Sequence, residues 1–202
     1  MGKTIDFIFD FGSPNGYLSW KVLPQIAART GATINLIPCL LGGIFKATNN
    51  RSPFEAFGGI PSKLAYEGLE LRRFVARHGL SKYRQNPHFP VNTLLIMRGF
   101  IAARRMGVGD AYLEAVLKAM WEDGLKMDDP AVVAEVLTAA GLDARAILEA
   151  TQDPEVKGEL AANTEVAVGR GVFGIPTFFV GDEMFFGKDR LDQVEEEAAK
   201  AG

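Results

Sequence analysis

Ser13 stands where a strand-like apolar run, Lys3 to Gly12, gives way to a helix-like one that opens with Pro14, Asn15, Gly16 and Tyr17. A strand-to-helix turn of this kind presents a side chain at a helix N-terminus, where unpaired N–H groups and the helix dipole favour an anion. Ser before Pro is also a good helix start in its own right, the serine as cap and the proline at the first helical position. Both readings of Ser13, cap and donor to an anion, are open from these residues. Far along the chain, Gly174, Ile175, Pro176 and Thr177 lead into Phe178, Phe179 and Val180, a strand-like run entered through an Ile-Pro bond.

Together the two segments resemble the halves of a thioredoxin-type active site. In thiol oxidoreductases that turn carries Cys-x-x-Cys, and the depressed pKa of its first cysteine is the working feature. The four corresponding residues here are Ser13, Pro14, Asn15 and Gly16, so the turn can form no disulfide. The single cysteine, Cys39, follows Leu36, Ile37 and Pro38 and reads as a small buried hydrophobe. Thiol chemistry therefore needs a thiol brought from outside the chain.

A chain of 202 residues can bury about two thirds or more of its unfolded surface, enough for one domain or two interleaved ones. Its 48% hydrophobic and 23% charged content is that of a soluble globule, and a net charge of -3 gives no basic footprint for nucleic acid. No apolar run reaches the roughly 18 to 20 residues of a membrane span, and Asp6 and Asp10 interrupt any signal-peptide core. One cysteine and no export signal are what a cytoplasmic protein would show. Neither nucleic acid nor membrane is an expected partner.

Ile5 to Phe9, Tyr17 to Arg29 and Ala32 to Pro38 read as strand, helix and strand, with Leu18, Val22, Ile26 and Ala27 on one helix face and Gly31 as its stop. The mostly apolar strands suit a sheet covered on both faces. The C-terminal part reads as a helix from about Thr164 to Val168, strands at Thr177 to Val180 and Glu183 to Phe186 around a Gly181-Asp182 turn, and a helix from Leu191. Between the two, helical periodicity recurs around Leu64 to Val75, Thr93 to Met106, Ala111 to Trp121, Ala131 to Ala140 and Arg145 to Gln152. The expected fold is α/β: a thioredoxin-like (DsbA-type) sheet domain of residues 1–44 and 164–202, interrupted by an all-helical insertion, 45–163. Asn49 to Gly59, rich in Asn, Ser, Pro and Gly, reads as a loop near the junction, where a ligand cleft would lie.

Five segments in order, Phe9 to Tyr17, Gly42 to Asn50, Asn86 to Thr93, Gly174 to Thr177 and Gly187 to Arg190, resemble the family of kappa-class glutathione transferases and 2-hydroxychromene-2-carboxylate isomerases, a branch of the DsbA-like fold. The resemblance spans essentially the whole chain. It implies a glutathione-dependent enzyme, usually a homodimer, in which glutathione is the cofactor that carries the reactive thiol. Ser13 then matches the serine whose hydroxyl donates to that sulfur. Lowering a thiol pKa of about 8.5 by about two units takes about 2.7 kcal/mol. One hydrogen bond to a charged acceptor supplies about 1.5 to 3 kcal/mol, and a helix N-terminus adds about 0.3 to 1.

By the same resemblance Pro176 is a cis-proline that leaves Ile175 extended, free to pair its main chain with the cysteinyl part of glutathione. Phe186, Gly187, Lys188 and Asp189 hold the γ-glutamyl end, with Asp189 either taking its ammonium or simply capping the last helix. Asn50 lies on the glutathione side. Lys46, Lys63, Tyr66 and Asn86 are candidates for contact with a small aromatic or conjugated electrophile, although a lysine such as Lys63 is as readily solvated. Asn86 to Pro90 would form a rigid pocket wall, with His88 a tempting base, and His78 reads as a cation at a helix end. Neither histidine has metal-ligand spacing, so no metal is expected. The chain departs from the family pattern at Asn49-Asn50, where Gly-Asn is common, and in an apolar Arg51 to Ile60 segment with Phe54 and Phe57. The implied activity is isomerisation, with conjugation of another electrophile as one alternative. A non-catalytic peptide-binding module, which would not need the Gly187 to Arg190 turn, is the other.

Overall fold

The computed structural model describes residues 2–200. Its sheet is built from β1 (Thr4–Phe9), β2 (Thr33–Pro38), β3 (Thr177–Val180) and β4 (Glu183–Phe186) in the order β2-β1-β3-β4. β1 runs parallel to β2, with Phe7 opposite Leu36, and antiparallel to β3, with Phe7 opposite Phe178. The parallel pair requires a long crossover, supplied by α1 (Pro14–Thr30), whose end is set by Gly31 in the left-handed region. Successive side chains of a strand point to opposite faces. Ile5, Phe7 and Phe9 therefore enter the larger core with Leu18, Val22 and Val194, while Ile8 joins Cys39, Ile44 and Phe179 in a smaller one on the other side. Burial is deepest in β1 and β3, and the edge strands β2 and β4 keep exposed positions.

Helices complete both faces: α2 (Leu41–Thr48), α3 (Pro53–Ala56), α4 (Pro61–Arg77), α5 (Leu94–Arg105), α6 (Gly109–Trp121), α7 (Pro130–Ala139), α8 (Ala144–Ala150), α9 (Pro154–Gly169) and α10 (Leu191–Ala199). α2 crosses the expected boundary at 44/45 and α9 the one at 163/164, and the larger core runs without a break from the sheet into α5, α6, α7 and α8. α9 starts ten residues earlier than its periodicity suggested because Asp153 caps it through a bond from Glu155 N and Pro154 takes the first helical position. The Asn49 to Gly59 segment holds the single turn α3, started by Ser52 and Pro53 in the same way.

The helical layer is fastened to the sheet beside Ser13. Trp121, at the end of α6 and fully buried, donates its Nε1–H to the Phe11 carbonyl at 2.8 Å. Tyr17 of α1 donates to Glu122 at 3.0 Å. Among the described residues no helix is long and apolar enough to cross a membrane. Replacing Trp121 by Phe strands the Phe11 carbonyl and opens a void, so Trp121→Phe is expected to lower unfolding free energy by about 1 to 3 kcal/mol, measured by urea denaturation.

Candidate active site

Ser13 is both cap and donor. Its Oγ accepts from Gly16 N at 3.0 Å, closing the first turn of α1, and donates to the Ile175 carbonyl at 3.0 Å. The side chain is 4% exposed. At this end of α1, Pro14 has no N–H, and the Asn15 N–H has no partner among the described residues. A group approaching Ser13 would therefore meet one hydroxyl, one open amide and the positive end of a 17-residue helix.

The turn is held from below by Asp10, fully buried, which accepts from Gly12 N at 2.8 Å and from Leu41 N at 2.7 Å. One carboxylate thus ties the Ser13 turn to the start of α2. Burial raises the Asp10 pKa, and the bonds from Gly12, Leu41 and Thr93 only partly oppose it. Cys39 lies nearby, its thiol pushed up to about 12 by burial and by the Asp10 charge, so it is no nucleophile at neutral pH.

Across from Ser13, the Ile175-Pro176 bond is cis, as is Phe89-Pro90. The Ile175 N–H has no partner among the described residues. Asn50 donates to the Phe173 carbonyl at 2.8 Å and so fastens the end of α2 to this loop, a role at the site that passes through the backbone. Phe173 packs on Phe186 with ring centroids 4.5 Å apart. A Cβ at Gly174 would lie 2.9 Å from the Phe186 ring and would have to displace it. Gly187, at φ 97°, donates to the Pro176 carbonyl at 2.9 Å and begins a 3-10 turn, Lys188–Arg190. Asp189 does not cap α10, whose start carries no side-chain bond. It is instead exposed and paired to Lys188 at 2.7 Å. Lys188 itself is 5% exposed, its ammonium 5.3 Å from the Phe74 ring.

Beside Pro14 and Asn15 opens a cavity of about 820 Å³, bounded by α3, one face of α4, the Gly79 to Gln85 segment and Lys188. Its walls are mainly apolar, with Phe54, Leu64, Leu71 and Val75 prominent. Tyr83, its phenol pushed up to about 12 by burial, and Arg72 are polar members that the sequence reading missed. The stripe Leu64, Gly68, Leu71, Val75 along α4 could have pointed to Arg72, which shares its face.

Of the four residues expected to touch an electrophile, none lines this cavity. Asn86 is a correction: it is 2% exposed and spends its amide on the Met120 and Leu125 carbonyls, both at 2.9 Å, and its oxygen on His88 N at 2.8 Å. Lys46 is exposed on α2. Lys63 stacks its ammonium 3.4 Å from the Phe57 ring, and Tyr66 is exposed beside Glu70. His78 sits at the end of α4 as expected, and burial together with the neighbouring Arg77 charge lowers its pKa. Among the described residues no cluster of His, Cys, Asp and Glu could hold a metal.

The DSBA-like thioredoxin domain model matches residues 4–199. A 2-hydroxychromene-2-carboxylate isomerase of Sphingobium xenophagum is 34% identical, over 96% of this chain and 97% of the relative. Human glutathione S-transferase kappa 1 is 28% identical, over 94% of this chain and 88% of its own length. A solved 2-hydroxychromene-2-carboxylate isomerase superposes with a TM-score of 0.81 at 30% identity, covering 96% of this chain and 93% of that one.

Because burial favours the neutral form of Asp10, its contribution to stability is greatest below the ordinary aspartate pKa and declines as pH rises through its folded value. An NMR titration of the Asp10 carboxyl is expected to give a midpoint above 3.8, with stability falling across that window. A midpoint at or below 3.8 would contradict the burial effect.

Proposed function

Because the chain belongs to the family of 2-hydroxychromene-2-carboxylate isomerases and kappa-class glutathione transferases within the DsbA-like thioredoxin fold, we propose that it is a glutathione-dependent isomerase of the 2-hydroxychromene-2-carboxylate type. The observation that carries this reading is the Ser13–Ile175 hydrogen bond. It sets a hydroxyl donor, an open amide and a peptide edge together in a chain whose own cysteine is buried.

These residues fit glutathione. Ile175 offers a free N–H for strand-like pairing with its cysteinyl unit. Asp189, exposed at the Gly187 turn, suits the γ-glutamyl ammonium, with Phe186 and Lys188 framing that end. Asn50 supports the edge by holding Phe173. When bound, glutathione would supply a thiolate able to add reversibly to the conjugated double bond of the ring-opened benzylidenepyruvate and so permit rotation about it.

The serine hydroxyl is a rotor with one proton. While Ser13 donates to Ile175, that carbonyl is occupied. Turning the proton toward a thiolate releases the Ile175 carbonyl to accept from the amide of the same ligand. The Gly16 N–H keeps its bond to Oγ throughout, which leaves the hydroxyl polarised and the helix capped. Ser13 thus never surrenders its proton, and its role is to hold the sulfur anionic. The large apolar cavity beside Pro14 and Asn15 suits the aromatic body of the acceptor, and the expected roles of Lys46, Lys63 and Tyr66 pass to its wall.

The reading extends to a two-part layout, a sheet part close to 1–44 and 164–202 joined by α2, α9 and a shared core to a helical part, and to a cytoplasmic homodimer acting on a small conjugated acid. A sole cysteine that is buried and unpaired is consistent with a reducing compartment.

Ser13→Ala is expected to keep the fold at a cost of about 0.5 to 2 kcal/mol for the lost cap and to lower isomerisation kcat by about 10² to 10³. Glutathione should be recovered in full after many turnovers. Its stoichiometric loss would assign a kappa-type transferase instead, and absence of glutathione binding would leave only the peptide-binding module.

A further inference from the structure

The apolar cavity beside the Ser13 turn carries two cations on its wall, and they differ in what they face. Lys188 is buried and already paired with Asp189 at 2.7 Å. Arg72 has no acidic group within salt-bridge distance among the described residues, whereas its neighbours on α4 do: Arg73 is held by Glu70, and Arg77 by Asp192 at 3.5 Å. The guanidinium of Arg72 also folds back along the cavity face, since its Nη1 lies 3.5 Å from where a Cβ at Gly68 would stand, and both residues line the cavity. Glu67 is the one acidic side chain on that wall, so the lining carries two positive charges against one negative.

We propose that Arg72 is a specificity-determining residue that anchors the carboxylate of an aryl-conjugated acid, the aryl body lying against Leu64, Leu71 and Val75. A guanidinium presents two parallel N–H donors that match a carboxylate, and an apolar wall with one such fork selects an amphiphilic acid over a neutral electrophile. The Sphingobium relative, a 2-hydroxychromene-2-carboxylate isomerase, is itself named for a carboxylate. The inference rests on the isomerase reading insofar as it takes this cavity to be the acceptor's place, and it adds the residue that reads the acid group. Lys188 is a poorer anchor because a bound carboxylate would compete with Asp189 for it. Glu67 sharpens the choice by repelling acids that do not reach the fork.

The test is binding, independent of turnover. Benzylpyruvate, which lacks the conjugated double bond and cannot react, and its methyl ester are titrated calorimetrically into the glutathione-loaded protein. The wild type is expected to bind the acid at least about tenfold more tightly than the ester. Arg72→Met should weaken the acid by about ten- to hundredfold and leave the ester and glutathione unchanged, and Arg72→Lys should recover part of the loss. Arg72 is exposed and its side chain makes no hydrogen bond or ion pair among the described residues, so both variants are expected to keep the wild-type circular dichroism. Equal binding of acid and ester by the wild type, an unchanged acid affinity in Arg72→Met, or a loss confined to glutathione would each overturn the assignment. A wild type that shows this acid preference yet isomerises nothing would refute the isomerase reading while leaving Arg72 its role.

Discussion

The hydrogen bond from Ser13 Oγ to the Ile175 carbonyl joins two segments 162 residues apart, and the site depends on it. It exists only because β1 and β3 lie side by side, antiparallel, so that the turn after β1 faces the bend before β3. Each side of the bond is braced separately. Asp10 fixes the serine turn through Gly12 and Leu41, Trp121 holds the Phe11 carbonyl, and Asn50 and Gly187 hold the backbone on either side of Ile175 and Pro176. Asp10 and Trp121 are fully buried, so these two braces stay out of reach of a ligand that approaches Ser13.

The energetics suit that economy. A hydroxyl that is at once cap and donor is already oriented, so directing it at an anion costs no rearrangement of the helix start. Asp10 is the counterweight. A buried charge so near the turn would oppose a second anion, and burial raises its pKa toward the neutral form. The same burial disables Cys39, which keeps the only thiol of the chain out of the chemistry.

Much of this is legible in the amino-acid sequence alone. The strands, α1 and the helices at 61–77, 94–105 and 109–121 followed from periodicity and from stop signals such as Gly31, and the replacement of cysteine by Ser13 and the Ile175-Pro176 bend located the centre of the site. What escaped has physical reasons. α2 was hidden by Gly42 and Gly43, which disfavour a helix locally and are tolerated because Ile44 is buried against α9. α9 was truncated because Pro154 looks like a break when it is in fact a first helical residue. Asn86 looked available because a polar residue between prolines suggests a surface, and only the fold shows that the Met120 and Leu125 carbonyls consume its donors. Arg72 was missed because a charge in an amphipathic helix reads as solvated until the cavity beneath its face is seen.

The central claim is that the chain lends a proton donor to a sulfur it does not own. The most direct measurement is the ultraviolet absorbance of the thiolate of glutathione bound to the protein, followed as a function of pH. The account predicts a thiol pKa lowered by about two units from about 8.5, with most of that shift gone when Ser13 is replaced by Ala. A bound thiol that titrates as it does free in solution would contradict it.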